Sequence, residues 1–172
     1  MRGFTHESTH NESQEWYTPK SIFDALKIDF DLDPASPGPD VVPWVPALQH
    51  FTIKDNGLAM LWKGRVWLNP PYGSDTPAWM RAFVAHRNGI MLVFARTDTL
   101  WFHEMAIRCD ALLFLKGRIQ FVSADPNRSG KQQGCGAASM MLACGYDCVD
   151  ALRKSGLGFF CNIGVASREG IA

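Results

Sequence analysis

The stretch Val66-Trp67-Leu68-Asn69-Pro70-Pro71-Tyr72 is the part of the sequence around which the rest of the chain is organised. Its first three residues are apolar and suit a buried β-strand, which the two prolines then end. Because each proline fixes its own φ and favours an extended residue before it, Asn69 and Pro70 are both held extended. The stretch therefore predicts a rigid turn at a strand end that presents a carboxamide, backbone carbonyls and one aromatic ring to a flat ligand.

Length, composition and charge indicate one globular domain whose two parts differ in charge. The chain has 172 residues, of which 47% are hydrophobic, and this is enough for a single core. Its 17 basic and 17 acidic residues balance, but residues 1–62 carry a net charge of −5 and residues 63–172 one of +5. We expect residues 1–13 to be a disordered tail, residues 14–172 to form the domain, and a polyanion to bind its second part.

Cysteine usage and hydropathy exclude several classes of protein. Five cysteines without a Cys-x-x-Cys pair argue against a disulfide framework or a zinc ribbon and for a reducing cytoplasm. The first thirteen residues are polar, unlike a signal peptide, and the longest apolar run, residues 90–95, is too short to span a bilayer. His6-Glu7-Ser8-Thr9-His10 matches the zinc-protease pattern His-Glu-x-x-His, but an unanchored polar tail offers neither a third ligand nor a dry site. We therefore predict no membrane contact and no metal.

The spacing of apolar residues predicts an α/β fold. Residues 90–95 form a continuous apolar run, which is typical of a strand buried on both faces of a parallel sheet. Thr76 followed by Pro77 predicts the N-cap and first turn of a helix that runs to about His86 and ends at Asn88-Gly89. Strand, helix and strand in this length form a right-handed βαβ unit. Further strands are predicted at residues 30–33, 51–53, 111–115, 118–122, 137–143 and 158–163, and a last helix at residues 146–154.

The C-terminal half adds a predicted hairpin and a basic loop. Residues 111–115 and 118–122 are predicted to pair around Lys116-Gly117, so the whole fold becomes a compact, mostly parallel sheet with helices on both faces and an antiparallel C-terminal hairpin. The loop after this hairpin is basic, and Gln132 and Gln133 within it could bond to adenine edges in a major groove. A DNA clamp and a merely solvated loop both remain open. The candidate DNA-binding cations are Lys116, Arg118, Arg128 and Lys131, together with Arg96 after the buried strand.

Two polar strand ends are candidate ligand sites, because ligands bind at the carboxyl ends of strands in open α/β sheets. Asp31 and Asp33 alternate with apolar residues before Pro34, and a carboxylate there could accept hydrogen bonds from ribose hydroxyls or an amino group. A solvated edge strand is the alternative. Arg96 and Asp98 follow the buried strand and could line the same crevice, or they could form an ion pair and cap a helix.

Two aromatic residues precede the first predicted helix. Thr18 followed by Pro19 forms a good N-cap and first-turn pair, and apolar residues lie on one face of the helix that follows. Trp16 and Tyr17 either begin this helix with a hydrophobic staple or wall a cofactor pocket at its positive N-terminus. The spacing alone does not choose between these two roles.

Taken together and in order, six motifs resemble those of the phage-type DNA N6-adenine methyltransferases (Dam-like), within the superfamily of S-adenosylmethionine (SAM)-dependent amino methyltransferases. The resemblance covers roughly residues 15–143. The motifs are Trp16-x-Thr18-Pro19, Asp31-Leu32-Asp33-Pro34-Ala35, Asp55-Asn56-Gly57-Leu58, Trp67-Leu68-Asn69-Pro70-Pro71-Tyr72-Gly73, Arg96-Thr97-Asp98-Thr99-x-Trp101-Phe102-His103 and Gly117-Arg118-Ile119-x-Phe121.

This resemblance implies a Rossmann-like methyltransferase fold and the transfer of a methyl group from SAM to the N6 amino group of adenine in DNA. It implies that the base flips out of the duplex, that the Asn69 side-chain oxygen and the Pro70 carbonyl accept its two N–H groups, and that Tyr72 stacks on it. Pro71 completes the catalytic motif. The resemblance also implies a cytoplasmic enzyme of a bacterium or of a phage-infected host cell.

The resemblance also implies which residues hold the cofactor. After Asp33-Pro34-Ala35, the sequence departs from the family pattern, because Ser36-Pro37-Gly38 replaces the glycine-rich part of a SAM-binding loop. Asp31, Asp33 and Asp55 therefore all stay candidates for holding the ribose or adenosine of SAM. The predicted cofactor-binding residues are Trp16, Thr18, Pro19, Asp31, Asp33, Pro34 and Asp55.

Three other functions stay open on the sequence alone. Cytosine-N4 methylation is the nearest, although Asn rather than Ser before Pro-Pro-Tyr favours adenine by family analogy. A protein-glutamine methyltransferase also uses Asn-Pro-Pro-Tyr, although the basic second half of the chain favours DNA. A catalytically inactive DNA-binding module would explain the altered glycine loop. Because so small a chain has no separate recognition domain, a homodimer that embraces DNA is a further expectation.

Overall fold

The structure is a computed structural model that describes residues 16–123, 133–134 and 137–163. The strands in these ranges are β1 (Trp16–Tyr17), β2 (Phe30–Asp33), β3 (Ala47–His50), β4 (Val66–Leu68), β5 (Gly89–Phe94), β6 (Ala111–Leu115), β7 (Gln120–Ser123), β8 (Gln133–Gly134), β9 (Ser139–Cys144) and β10 (Gly158–Asn162). The helices are α1 (Lys20–Leu26), α2 (Thr76–His86), α3 (Leu100–Met105) and α4 (Tyr146–Lys154), with a 3₁₀ turn (Ala106–Arg108) after α3. None of these helices is long and apolar enough to cross a membrane.

Seven of the described strands form one large sheet in the order β10-β6-β9-β5-β4-β2-β3. The strands β2, β3, β4 and β5 pair in parallel. The strand β9 lies between β5 and β6 and pairs antiparallel with both, and β10 pairs antiparallel with β6. The expectation of a mostly parallel sheet is therefore confirmed only for the β3-β2-β4-β5 half, because β9 returns between two strands that run the other way.

The strand β4 lies within the sheet and is buried on both faces, as its sequence predicts. On one face, the ring of Trp67 packs edge-on against Phe23 of α1, with ring centroids 4.7 Å apart. On the other face, Val66 and Leu68 belong to a core that includes Phe83 of α2. The helices α1 and α4 contribute to the first core and α2 to the second, so helices cover both faces of the sheet as expected.

The predicted hairpin of residues 111–122 is wrong. The strand β6 pairs with β9 on one side and with β10 on the other, so no edge of β6 remains for β7. The chain turns at Gly117, where φ is +81°, and leaves the large sheet. The strand β7 instead pairs antiparallel with β1 and β8 in a separate three-stranded sheet. Residues 124–132, which lie outside the described residues, connect β7 to β8.

The helices α1, α2 and α4 occupy the predicted segments, but some of their ends differ. The helix α4 is confirmed with the predicted bounds. The helix α2 begins at Thr76, which is therefore not its N-cap, and ends before Arg87, whose φ of 65° replaces the predicted stop at Asn88-Gly89. The helix α1 begins at Lys20, so Thr18 is not its N-cap either. The Thr18 side chain is buried instead, in the cleft described below.

The predicted strand at residues 51–53 is wrong, because the preceding residues form β3. The Phe51 amide still donates to the Asp33 carbonyl at 2.9 Å, and the pairing with β2 ends there. The Thr52 amide donates to the Asp55 carboxylate at 2.7 Å. This side-chain bond turns the backbone away from the edge of the sheet.

A distortion in β2 decides which of its two acids points inward. The amides of Asp31 and Leu32 both donate to the Arg65 carbonyl, at 2.7 and 3.3 Å, which is the two-against-one pairing of a β-bulge. As a result, Phe30 packs in the core on the α1 side, whereas Leu32, two residues later, packs in the opposite core. Asp31 is exposed and accepts a hydrogen bond from the Arg65 amide at 2.6 Å, whereas Asp33 is buried.

The core beneath β4 and β5 can be tested at Phe83, which is fully buried. We expect Phe83→Ala to lower the free energy of unfolding by about 3–5 kcal/mol, because apolar burial is lost and a cavity remains. Urea denaturation followed by circular dichroism measures this change. Arg81→Ala, at an exposed position of the same helix, is the matched control and should change stability by no more than about 0.5 kcal/mol. Equal stability of the two variants would contradict this packing.

Candidate active site

A cleft of about 880 Å³ opens at the carboxyl ends of β2 and β4. This edge of a parallel sheet is where α/β proteins bind ligands. The walls come from the residues around β1, from the loops that follow β2 and β3, and from the turn that follows β4. Of the predicted site residues, the cleft is lined by Trp16, Thr18, Asp33, Pro34, Asn69, Pro70 and Pro71.

The carboxamide of Asn69 is held at both ends. Its Nδ2 donates to the backbone carbonyl of Trp16 at 2.6 Å, and its Oδ1 accepts from the hydroxyl of Tyr72 at 2.9 Å. Because a carbonyl can only accept, the bond to Trp16 determines which end of the carboxamide carries the nitrogen. The turn therefore presents Oδ1 as a hydrogen-bond acceptor.

The ring of Tyr72 belongs to an aromatic cluster beside Asn69. It stacks on Phe94, the last residue of β5, with ring centroids 3.9 Å apart and an interplanar angle of 15°. Phe121 of β7 meets the Tyr72 ring edge-on at 6.4 Å, and Trp16 packs against Phe121 at 5.9 Å. Since Phe94 covers one face of the Tyr72 ring, a flat ligand would stack on the opposite face.

Hydrogen bonds tie the turn after β4 to the start of α2. The Thr76 hydroxyl accepts from the Gly73 amide at 3.2 Å and donates to the Pro71 carbonyl at 3.5 Å. Pro70 is buried and Pro71 is exposed. The turn is therefore held by its two prolines, as the sequence predicts, and also by Thr76, for which the sequence predicts a helix N-cap but not these bonds.

Asp33 is the acid of β2 that reaches the cleft. Only 4% of this residue is exposed, and its Oδ1 accepts from the Ala35 amide at 3.2 Å. Burial raises the pKa of Asp33 to about 7, because desolvation penalises the charged carboxylate, and the hydrogen bond from Ala35 offsets part of this rise. The carboxyl group therefore keeps its proton to a higher pH than an exposed acid, and a cation bound beside it would favour its charged form.

His50 lies beside Asp33 but does not form an ion pair with it near neutral pH. Its Nε2 bonds to the Ala47 carbonyl at 3.2 Å, and its Nδ1 bonds to the Ser36 hydroxyl at 2.9 Å. We assign the neutral tautomer with the proton on Nε2, because the carbonyl can only accept. Burial also lowers the pKa of His50. Nδ1 lies 4.0 Å from the Asp33 carboxylate, but it belongs to a neutral ring, so the two groups do not form an ion pair.

Ser36 shapes the loop in which the sequence departs from the glycine-rich pattern. Its hydroxyl accepts from the Gly38 amide at 3.0 Å, and its own amide donates to the Phe51 carbonyl at 2.9 Å. Gly38 has a φ of +108°, which residues with a Cβ rarely adopt. One glycine and one buried hydroxyl therefore produce a defined turn in the cleft wall without the glycine-rich sequence.

The turn Asp55-Asn56-Gly57 packs against the loop that follows β2. Asn56 has a φ of 53°, and a Cβ on Gly57 would overlap the carbonyl oxygen of Pro34. Asn56 and Gly57 line the cleft. Asp55 lies just outside the lining, and its carboxylate accepts from the amide and the hydroxyl of Thr52, which lowers the pKa of Asp55. The acid of this motif thus holds the turn, and the glycine allows the close approach.

Of the other predicted cofactor-binding residues, some line the cleft and some lie outside it. Asp31 lies outside the cleft, because the bulge in β2 turns its carboxylate towards the Arg65 amide. Asp31 is therefore not part of the proposed site. Pro19 also lies outside the lining. Thr18 lines the cleft and is 3% exposed, and its Oγ1 has no hydrogen-bond partner among the described residues. An unpaired buried hydroxyl is costly, so Thr18 is a candidate for contact with a ligand.

Three predicted DNA-binding cations lie on the surface within the described residues. Arg96 follows β5, directly after the strand that supplies Phe94, and Lys116 and Arg118 lie in the turn between β6 and β7; all three are exposed. Arg128, Lys131, Gln132 and the tail motif of residues 6–10 lie outside the described residues, and Gln133 is described only as backbone of β8. No group of three or more His, Cys, Asp or Glu side chains in the described ranges is placed to hold a metal ion.

Three residues of the site are not among the predicted candidates. Phe94 ends the buried strand that precedes Arg96, and the rule that neighbouring strand ends meet could have identified it. Ser36 stands out in the sequence only as a departure from a glycine pattern. His50 carries no local signal, because its contact with Ser36 exists only once β3 has paired beside β2.

Most of the chain is similar in sequence to known proteins. Residues 6–146 match the family model described as DNA N-6-adenine-methyltransferase (Dam). The chain is also 28% identical over 134 residues to the DNA N-6-adenine-methyltransferase of Haemophilus phage HP1 (strain HP1c1). That alignment covers 68% of this chain and 69% of the phage protein. The family match includes every residue that lines the cleft.

The buried acid makes stability depend on pH in a defined direction. Between the unfolded pKa of 3.8 and the folded value of about 7, folding takes up a proton at Asp33, so its contribution to stability falls as pH rises through this window. Asp33→Asn should therefore be more stable than the wild type at pH 8, by up to about 4 kcal/mol, and similar to it at pH 4. Thermal unfolding at both pH values measures the difference.

The exposed Asp40 offers a matched control for this pH dependence. Asp40→Asn keeps the same chemical change on the surface and should show no such difference between pH 4 and pH 8. If Asp33→Asn were less stable than the wild type at pH 8, the carboxylate would be stabilised by the fold rather than penalised by burial.

Proposed function

Because the chain belongs to the DNA N-6-adenine-methyltransferase (Dam) family and methylates the N6 amino group of adenine in DNA, we propose that the cleft binds SAM and that Asn69-Pro70-Pro71-Tyr72 holds a flipped-out adenine. The observation that carries this proposal is the carboxamide of Asn69. It stands at the rim of the cleft, with Nδ2 tied to the Trp16 carbonyl and Oδ1 presented as an acceptor.

The residues of the cleft fit SAM by their chemistry. SAM carries an ammonium group, and Asp33 offers a buried carboxylate that a cation would keep ionised. Thr18 offers a buried hydroxyl whose oxygen has no partner among the described residues. The volume of about 880 Å³ is within the range that protein sites provide for ligands of this size. Asp33, Thr18, Pro34 and Gly57 are therefore the residues that would hold the cofactor.

The turn after β4 would make the amino nitrogen of adenine reactive. When bound, SAM supplies an electrophilic methyl group on a sulfonium. The amino nitrogen is a poor nucleophile, because its lone pair is delocalised into the base. Hydrogen bonds from its two N–H groups to Asn69 Oδ1 and the Pro70 carbonyl would favour a pyramidal nitrogen with an available lone pair. The nitrogen loses one proton on methylation, and a neutral carboxamide is too weak a base to keep it, so the proton passes to water.

The aromatic cluster would hold the base in the correct plane. A base inside a duplex cannot reach Asn69, so it must rotate out of the stack and bind in a pocket. Tyr72 would stack on the face of the base while Phe94 supports the other face of the Tyr72 ring at 3.9 Å. Catalysis would then come from positioning as well as from electrostatics, because the base and the methyl donor are held in fixed relation to each other.

We also propose that the fold is a compact form of the Rossmann-like methyltransferase fold. Support comes from the parallel half-sheet β3-β2-β4-β5, from helices on both faces and from a cleft at the carboxyl ends of the strands. Arg96, Lys116 and Arg118 are the described cations proposed to contact DNA phosphates. The homodimer, the single domain of residues 14–172 and a cytoplasmic location stay predictions.

The three alternative functions left open by the sequence are disfavoured. Cytosine-N4 and protein-glutamine methylation do not agree with the adenine-specific family that the chain matches. An inactive DNA-binding module would need a damaged cofactor site, but Ser36 and Gly38 form a defined turn there and Thr18 keeps an unpaired hydroxyl in the cleft.

The proposal is tested by incubating the protein with methyl-labelled SAM and unmethylated DNA and digesting the DNA to nucleosides. We expect label in N6-methyldeoxyadenosine. Asn69→Ala should reduce the single-turnover rate by at least about a thousandfold, because the hydrogen bond that prepares the amine is lost. SAM binding, measured by calorimetry, should change by no more than about twofold. Label in protein or in cytosine would refute the function, and an active Asn69→Ala variant would remove Asn69 from the mechanism.

The close contact at Gly57 gives an independent test of the cofactor cleft. Because a Cβ would overlap the Pro34 carbonyl, Gly57→Ala must displace one wall of the cleft. We expect the dissociation constant for SAM to rise by about tenfold or more, equivalent to about 1.4 kcal/mol. Gly156→Ala is the control for a strained glycine substitution away from the cleft, since Gly156 has a φ of +67° and lies outside the lining, and its SAM binding should stay unchanged. Unchanged SAM binding in Gly57→Ala would place the cofactor elsewhere.

A further inference from the structure

The hydroxyl of Tyr72 makes a contact of its own, separate from the contacts of the ring. It donates a 2.9 Å hydrogen bond to Oδ1 of Asn69, while Nδ2 of the same carboxamide donates a 2.6 Å bond to the Trp16 carbonyl. The carboxamide is therefore fixed at both ends before any base arrives. Neither bond is a stacking contact, and neither follows from the Asn-Pro-Pro-Tyr pattern as a sequence.

The two bonds leave one acceptor site on Oδ1. A carboxamide oxygen has two lone pairs, and the Tyr72 hydroxyl uses one of them. The second lone pair can accept an N–H from the amino group of adenine without breaking the bond to Tyr72. Without the hydrogen bond from Tyr72, the bond to the Trp16 carbonyl would still hold the nitrogen of the Asn69 carboxamide. The oxygen, however, could change its position.

The ring of Tyr72 is held by contacts that do not involve its hydroxyl. It stacks on Phe94 at 3.9 Å and 15°, and Phe121 meets it edge-on. The backbone of the turn is tied to Thr76 by hydrogen bonds with Gly73 and Pro71. A phenylalanine at position 72 would therefore keep these contacts of the ring and remove the hydrogen bond to Asn69.

We propose that the Tyr72 hydroxyl is a positioning group that acts through Asn69, directing the second lone pair of Oδ1 towards the amino group of the target adenine. This inference rests on the proposed role of Asn69 as the acceptor for that amino group. The ring binds the base, and the hydroxyl orients the acceptor. Loss of the hydroxyl therefore slows the chemical step and leaves ground-state binding intact, whereas loss of the ring weakens binding of the base.

The test compares Tyr72→Phe, Tyr72→Leu and the wild type in single-turnover methylation of unmethylated phage DNA at saturating SAM. We expect Tyr72→Phe to reduce the methylation rate constant by about tenfold, the effect of losing one orienting hydrogen bond. Its KM for DNA and its dissociation constant for SAM should stay within about twofold of the wild type. Tyr72→Leu should in addition raise the KM for DNA, because the stacking ring is gone.

A matched control is available elsewhere in the chain. Tyr146 is 84% exposed at the start of α4, outside the cleft lining and the aromatic cluster, so Tyr146→Phe makes the same chemical change away from the site. Its rate constant, KM and melting temperature should equal those of the wild type. A purely structural role for the Tyr72 hydroxyl would lower the melting temperature of Tyr72→Phe and would not separate the rate constant from KM.

The outcomes distinguish this inference from the function on which it rests. If the wild type formed no N6-methyladenine, the proposed site would fail. If the wild type were active and Asn69→Ala inactive, but Tyr72→Phe turned over within twofold of the wild type, only the role of the hydroxyl would fail. A Tyr72→Phe variant with a raised KM for DNA and an unchanged rate constant would also overturn it, because the hydroxyl would then contact DNA rather than orient Asn69.

Discussion

The hydrogen bond from Asn69 Nδ2 to the Trp16 carbonyl joins parts of the chain that are more than fifty residues apart. Asn69 stands at the end of β4, which is hydrogen-bonded to β2 and β5 within the large sheet. Trp16 belongs to the two-residue strand β1, which is held by β7 of the small sheet. This carboxamide therefore links the two sheets, and the way they meet orients the acceptor atom that is proposed to bind the amino group of adenine.

The cleft is lined largely by short loops. The loop after β2 depends on the Ser36 hydroxyl and the positive φ of Gly38, and the turn that packs against this loop depends on the absence of a side chain at Gly57. Beside them, Asp33 is buried, and its raised pKa reflects the cost of that burial. Stability lost at such a position is typical of functional sites, where a group is kept for a ligand rather than for the fold.

Much of the architecture follows from local patterns. The apolar runs at β4 and β5, the helix α4 and the presence of helices on both faces are confirmed, because burial and periodicity act within a single element. The errors concern pairing. The strand β7 leaves β6 because β9 and β10 already occupy both sides of β6, and β3 lies earlier than predicted because Asp55 turns the chain at Thr52. The sequence of a strand does not show which distant strand it will pair with.

The candidate active site, like the fold, has some features that the local sequence determines and others that depend on tertiary contacts. The sequence by itself determined the rigid turn at Asn69, because each proline restricts the backbone whatever surrounds it. Only the tertiary structure decided that Asp33 rather than Asp31 reaches the cleft, because a bulge formed against Arg65, the residue before β4, turns Asp31 outward. The tertiary structure also decided which atom of the Asn69 carboxamide faces a ligand as a hydrogen-bond acceptor. A carboxamide has a donor end and an acceptor end, and a partner from another segment, the Trp16 carbonyl, selects between them.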